Sequence, residues 1–241
     1  MGGALLMATG AGDIGSSFAV NENLDDDGDG GSGGGGSGGG GSNGNAGRGG
    51  SEGDVKELFA DAFDESRSSN PNWRFNGQWW NVADGVLTAG PVSGWAELRA
   101  YAPSSGFRDG TLSLDVASRG DAGFAVLFGL SGNPIEGNFD GYALQFEPGE
   151  QGGEVMLNRW IKGVEIFPPL ATAGVTDNFP TPGGTNHVEI TTAGSMITAS
   201  VDGQAVLSFA DPTYSGGKVG LRLWNQADAT FDNIRITAPR E

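Results

Sequence analysis

The chain has 241 residues, no cysteine, one histidine and a formal net charge of −17. Residues 56–241 alone carry 22 acidic and 12 basic side chains, which argues against nucleic acid or an anionic membrane as partner, since both need clustered Lys and Arg. The missing cysteine removes disulfide, thiolate and cysteine-zinc chemistry, while the acidic balance suits a divalent cation or high salt.

Residues 1–20 contain a short apolar run, Gly3–Ala11, of the length of a signal h-region and too short to span a bilayer. No Lys or Arg precedes it, so it reads either as an export signal without its charged start or as a mobile tail. Residues 21–54 hold Asp25-Asp26-Asp27-Gly28-Asp29 and then a Gly-Gly-Gly-Gly-Ser cadence, with fifteen of the 45 glycines between Gly28 and Gly50. Such a segment cannot bury enough apolar surface to offset its ordering entropy. It is expected to be a disordered Gly/Ser-rich tether, spanning roughly 25–30 Å for about 25 residues. The acidic cluster lacks the closing Glu of a calcium loop and reads as a solvated charge run.

Residues 55–241 are expected to form one domain. Its opening, Asp54–Phe63, carries a weak helical period, and beyond it no segment is convincingly helical. Strands are predicted near Glu97–Tyr101, Thr111–Ala117, Gly123–Gly129, Tyr142–Glu147, Glu154–Trp160, Val164–Phe167, His187–Thr191, Met196–Val201 and Ala205–Phe209. Leu112, Leu114 and Val116 alternate with Ser113, Asp115 and Ala117, the period of a half-buried strand. Asp84-Gly85 and Asp202-Gly203 each separate two apolar runs, the signal of a two-residue hairpin turn. Trp73, Trp79 and Trp80 are expected in core or edge packing. Many short strands with turn signals predict an all-β fold, a two-sheet antiparallel β-sandwich.

The last strand pair organises the chain. Val219, Leu221 and Leu223 share one face of the first run, and Gly220, Arg222 and Trp224 share the other. Gln226-Ala227-Asp228 then turns into Ala229–Ile236. There Phe231 is out of phase with Ile234 and Ile236, so either a bulge sits near Asp232 or both faces are covered.

These residues also carry a family resemblance. Gly217-Lys218-Val219-Gly220-Leu221-Arg222 with Ala229-Thr230-Phe231-Asp232-Asn233-Ile234 resembles the end of concanavalin A-like lectin/glucanase domains. Glu57–Asp64 and the hairpin around Asn76–Leu87 resemble their start. Tyr142-Ala143-Leu144, Leu157-Asn158-Arg159 and Gly163 resemble the core of LamG-like and sugar-hydrolase-associated domains. The resemblance covers residues 57–238 and implies a jelly roll. Its motifs are structural, so they specify fold rather than activity.

A retaining glucanase needs two facing carboxylates about 5 Å apart, and the family's Glu-x-Asp-x-x-Glu pattern is absent from Tyr142–Glu147, the strand that would hold it. Tyr142–Glu147 offers only Glu147, and Glu154 and Glu165 are too scattered in sequence to be argued as a pair. Loop carboxylates such as Glu136, Asp140 and Glu150 are the remaining catalytic source. A single His187 with no cysteine supports neither a zinc site nor a Ser-His-Asp triad, and reads as a strand-edge residue. The binding reading rests on Trp224, Arg222 and Asn225, joined by Arg159 and Trp160 from another strand and Trp95 from a loop. An indole plane suits the apolar face of a pyranose, and the polar groups suit its hydroxyls. In many sandwich domains of this kind a cation clamps the first strand to the last, so the resemblance implies Asp61 and Asp232 as ligands of a structural Ca2+, the alternative being that Asp232 caps the bulge and Asp61 is exposed.

The expected function is thus a secreted or surface-tethered carbohydrate-binding module without catalysis. The alternatives are a glycoside hydrolase using loop carboxylates and a structural surface domain with no small ligand. A polysaccharide or glycan is the expected partner, outside the cell or on its surface.

Overall fold

A computed structural model describes residues 55–64, 70–91, 97–119, 123–147, 153–174, 184–224 and 227–240. The segments anticipated at 1–20 and 21–54 lie outside them. Fifteen strands follow in chain order: β1 (Val55–Asp61), β2 (Arg74–Phe75), β3 (Trp80–Ala83), β4 (Val86–Ala89), β5 (Glu97–Phe107), β6 (Gly110–Arg119), β7 (Phe124–Asn133), β8 (Asn138–Glu147), β9 (Glu154–Ile161), β10 (Val164–Gly174), β11 (Thr185–Ala193), β12 (Met196–Val201), β13 (Gln204–Ala210), β14 (Gly217–Trp224) and β15 (Asp228–Pro239). Among the described residues there is no helix.

The strands make two antiparallel sheets packed as a jelly-roll sandwich. The eight-stranded sheet runs β13-β12-β11-β6-β15-β4-β3, with β1 also paired to β15; the seven-stranded sheet runs β10-β9-β8-β7-β14-β5-β2. Alternation sets what each sheet buries. Leu112, Leu114 and Val116 of β6 and Val188 and Ile190 of β11 face the core from one side. Phe124, Val126 and Phe128 of β7 and Leu221 and Leu223 of β14 face it from the other. Phe124 stacks on Phe146 with ring centres 4.7 Å apart and meets Phe231 edge-on at 6.1 Å across the sandwich. The turns at Asp84-Gly85 (φ 55° and 79°) and Asp202-Gly203 (φ 50° and 77°) hold the two consecutive left-handed residues that a type I′ hairpin requires.

Three sequence expectations change. The last two strands are not a pair: β14 lies between β7 and β5, whereas β15 lies between β6 and β4 in the opposite sheet. The chain crosses the sandwich between them, and each becomes a central strand of its sheet. The weak helical period at Asp54–Phe63 gives way to β1, whose Phe59 is registered against Ile236 and packs edge-on against Trp73 at 6.2 Å. The choice at Asp232 resolves to a bulge. The register of β15 against β6 shifts between Asp232 and Arg235, and Asn233 takes φ 49°. Phe231, Ile234 and Ile236 therefore all enter one core despite their mismatched spacing. Of the early tryptophans, Trp73 is buried and Trp80 packs on Phe75 and Phe231. Trp79 is exposed.

Candidate functional site

β7 departs from simple alternation: Phe124 to Leu130 are buried without interruption. Its inward residues fill the core between the sheets, and its outward residues are covered by something else. That cover is a second, smaller cluster of Ala125, Leu127, Leu130, Phe139, Ala143 and Trp160, with Tyr101 and Trp224 against it.

Strand parity and register assemble this outer face. Val219, Leu221 and Leu223 point into the core, so Arg222 and Trp224 point out. Register places Arg222 beside Arg99 of β5 and Ala125 of β7, and Trp224 beside Glu97 of β5. Ala125 is opposite Gln145 of β8. Trp160 of β9 is opposite Glu165 of β10.

The polar side chains form one connected array. Arg99 donates from Nε and Nη2 to the two carboxylate oxygens of Glu97 at 2.7 and 2.8 Å. Arg222 donates from Nε to the same Glu97 Oε1, and from Nη1 to Gln145 Oε1 at 3.0 Å. Gln145 Nε2 donates to Glu165 Oε1, as does Asn158 Nδ2 at 2.7 Å. Arg222 Nη1 lies 3.9 Å from Glu165 Oε2. Two guanidinium groups and two carboxylates from three strands are thus interlocked, with the arginine side chains only 11–13 % exposed.

Aromatic rings hold the array from the side. Phe139 stacks on Trp160 at 5.3 Å, and the Arg222 guanidinium lies 4.7 Å from the Trp160 ring and 4.3 Å from the Trp224 ring. Arg222 therefore sits between two indoles, an arrangement that fixes a cation while leaving its edge for hydrogen bonds. Gly123 makes room for Trp224: a Cβ there would stand 2.4 Å from the indole Cζ2. The tip of the β7–β8 hairpin covers one end of the face. Arg99 Nη1 donates to Pro134 O at 3.2 Å, Lys218 Nζ to Gly132 O at 3.0 Å, and Gly163 N to Phe139 O at 2.7 Å.

The array shifts proton affinity. Burial pushes the Glu165 carboxyl up, with nearby Glu97 adding to the rise, while Arg222, Gln145 and Asn158 hold it back. Two buried polar atoms on this face have no protein partner, Asn158 Oδ1 and Trp160 Nε1.

The residues singled out from sequence separate. Arg222, Trp224 and Trp160 come together, although Trp160 is buried in the floor. Arg159 does not join them. As the neighbour of Trp160 on a strand it points to the opposite side, where Nη1 lies 3.8 Å from Asp211 Oδ2. Asp211 there also accepts from the Tyr142 hydroxyl at 2.6 Å. Trp95, Asn225 and Glu150 lie outside the described residues. Asp140 is engaged by the backbone N–H of Lys162 at 2.6 Å, and Glu136 belongs to the hairpin tip.

The suggested calcium ligands lie near the β1–β15 pairing. Asp61 accepts four hydrogen bonds, from Phe63 N, Asn70 Nδ2, Asn72 Nδ2 and Trp73 Nε1, at 2.9–3.1 Å. Burial raises the proton affinity of Asp232, an accepted bond from its neighbour Asn233 N opposes this, and Asp115, Asp64 and Asp61 add to the rise. Among the described residues no group of three or more His, Asp or Glu is placed to hold a metal ion. His187 is not an edge residue: it lies in β11, between β6 and β12, with Nδ1 2.7 Å from Asp115 Oδ1.

Sequence reasoning missed Glu97, Arg99, Gln145 and Asn158. A usable signal existed in each strand. Glu97 and Arg99 flank Leu98 with one parity, and Gln145 interrupts the apolar run Ala143-Leu144-Gln145-Phe146. A polar residue inside a strand buried on both faces needs a partner, and here the partner is the array.

The structure is similar to several solved proteins. The carbohydrate-binding module CBM66 from Bacillus subtilis superposes with TM-score 0.56 at 17 % identity, covering 68 % of this chain and 93 % of that one. A Bacillus subtilis protein of unknown function with a galectin-like fold gives 0.58 at 17 % identity, covering 76 % and 97 %. The Bacillus licheniformis β-glucanase gives 0.54 at 15 % identity, covering 76 % and 98 %. At these identities the likeness concerns the fold. A comparison with curated protein sequences gave no match. A family model does match, over residues 58–237, from β1 through β15, and by that match the chain belongs to the family of 3-keto-alpha-glucoside-1,2-lyase-like domains.

Proposed function

We propose that this domain binds carbohydrate on the outer face of its seven-stranded sheet, through the array of Glu97, Arg222, Gln145 and Glu165 beside Trp224. The observation that carries the reading is the array itself. Donors and acceptors on four strands are held in fixed positions by one another, so little side-chain freedom is lost when a hydroxyl-rich ligand arrives. Several of the solved structures of this fold are carbohydrate-binding or glucan-cleaving by name, which agrees with the reading. Export, and display on the surface or outside the cell, fit such a role.

The test is native affinity electrophoresis of the full chain in gels containing laminarin, inulin or xyloglucan. Slowed migration in at least one of them, abolished by Arg222→Lys, is the expected result. Arg222→Lys keeps the charge but loses the planar fork that reaches Glu97 and Gln145 together. Migration unchanged in every gel contradicts the proposal.

A second reading has its own support. Glu165 is a carboxylate of raised proton affinity beside a guanidinium, and the family's name describes a lyase acting on 3-keto-α-glucosides. A ketone at C3 acidifies the hydrogen on C2. Glu165 would take that proton while Arg222 holds the resulting enolate oxygen; the C3 carbonyl would then re-form as a C1–C2 double bond appears and the C1–O bond breaks, the departing alcohol taking the proton back from Glu165. Release of the alcohol from a 3-keto-α-glucoside, lost in Glu165→Gln, would establish this reading. No release above buffer would leave binding alone.

A further inference from the structure

We propose that the site selects an uncharged sugar, and that Glu97 enforces the choice by occupying the position between Arg99 and Arg222 that the carboxylate of an acidic sugar would otherwise take; this rests on the carbohydrate reading above. Two guanidinium groups converge here on one carboxylate. Arg99 grips it with two parallel hydrogen bonds at 2.7 and 2.8 Å, the fork geometry by which arginine recognises carboxylates, and Arg222 adds a third bond to the same Oε1. This is an anion site already filled by the protein's own side chain.

The filling is fixed by the fold. Asn76 Nδ2 donates to the backbone carbonyl of Glu97 at 3.1 Å, and Asn76 Oδ1 accepts from the backbone N–H of Arg99. One side chain thereby sets both partners. Arg99 is further held by Pro134 O and lies 5.3 Å over the Phe139 ring and 5.5 Å over the Trp160 ring. Arg222 is held between its two indoles. Neither guanidinium is free to leave Glu97 and meet an external anion. An anion reaching the array would also face Glu165, whose Oε2 lies 3.9 Å from Arg222. Within the array two positive charges are matched by two negative ones, so no cation is left over. The hydroxyl groups of a neutral sugar meet no such opposition. Glu97 is therefore a specificity-determining residue, distinct from the groups that supply contact area.

Native affinity electrophoresis again gives the test, now comparing polygalacturonate with the three neutral polysaccharides, for the full-length wild type and for Glu97→Gln. The wild type is expected to be slowed by a neutral polysaccharide and to run unchanged in polygalacturonate. Glu97→Gln, which keeps the shape and removes the charge, is expected to gain retention in polygalacturonate. Its apparent affinity for that polymer should be about tenfold above wild type and fall with added salt. Wild-type retention by polygalacturonate overturns the proposal while the carbohydrate reading stands. Retention by none of the four polymers overturns both. A folded Glu97→Gln with no gain overturns the role of Glu97. If Glu97→Gln does not fold, the same wild type with free galactose and free galacturonate as competitors decides. Release from the gel by galacturonate at concentrations where galactose has no effect overturns neutral selection, and the reverse supports it.

Discussion

The two sheets turn different outer faces to the surroundings, although both are built by the same strand alternation. On the eight-stranded sheet the outward residues are small, hydroxylated or singly charged. Thr111 meets Thr191 at 3.1 Å, and His187 meets Asp115, with the histidine and its other neighbour Glu189 each about 40 % exposed. On the seven-stranded sheet the outward charged residues are long, packed among aromatic rings and largely covered. Arg222 is 11 % exposed and Glu165 17 %. The first face is solvated and its pairs are individually weak. The second withdraws four charges from water and keeps them only because each is paired, which is costly as decoration and makes sense as a preorganised site.

The largest expected effect follows from breaking the covered network. Arg222→Ala leaves Glu97 and Glu165 short of their shared cation and opens a gap between Trp160 and Trp224. It should destabilise the domain by about 3 kcal/mol in urea unfolding. A loss below about 1 kcal/mol would place the face in the solvated class with the other sheet.

Trp224→Ala comes next. From sequence alone this indole is a ligand platform whose removal leaves stability nearly unchanged. In the structure one side of the ring faces Arg222, so a loss of about 1–2 kcal/mol is expected along with weaker glycan retention. Retention lost with no change in melting would show that the cation contact adds nothing to the fold.

Acidity separates the faces more finely. Burial raises the Glu165 carboxyl above its ordinary value of 4.5. The folded chain then holds that proton more tightly than the unfolded chain does. The contribution of this group to stability is fully present below 4.5 and is lost as pH rises through the raised folded value. The melting temperature of Glu165→Gln relative to wild type should therefore climb as pH rises above 4.5. A flat difference would mean that Glu165 titrates as an exposed glutamate. The smallest effect belongs to the solvated face: His187→Ala should cost less than about 1 kcal/mol, and urea unfolding checks it.

The sandwich was legible in the sequence because a strand with one buried face writes a period of two, as Leu112-Ser113-Leu114-Asp115-Val116 does. The pairing of strands was not. Gly217–Trp224 and Asp228–Pro239 adjoin in sequence and read as a hairpin, yet each is recruited to the centre of a different sheet. Local pattern cannot express that choice, because the same alternation serves either sheet. The site was half legible for a related reason. Arg222 and Trp224 stand out on a clean strand, whereas Glu97 meets Arg222 only because β5 pairs with β14, and Gln145 and Glu165 meet it only because the β7–β10 meander docks on β14 through β7, strands far apart in sequence. The parity of Arg159 could have been read: adjacent strand residues face opposite ways, so Arg159 and Trp160 never could share one surface.

The most direct measurement of the central claim sets one face against the other in the same gel. Gln145→Ala removes a neutral member of the array, one that links Arg222 to Glu165, while His187→Ala alters only the opposite sheet. In whichever neutral polysaccharide slows the wild type, Gln145→Ala should migrate as it does without sugar, and His187→Ala should be slowed like the wild type. Equal retardation of both variants, or loss of retardation in His187→Ala alone, would contradict the assignment of carbohydrate binding to the seven-stranded sheet.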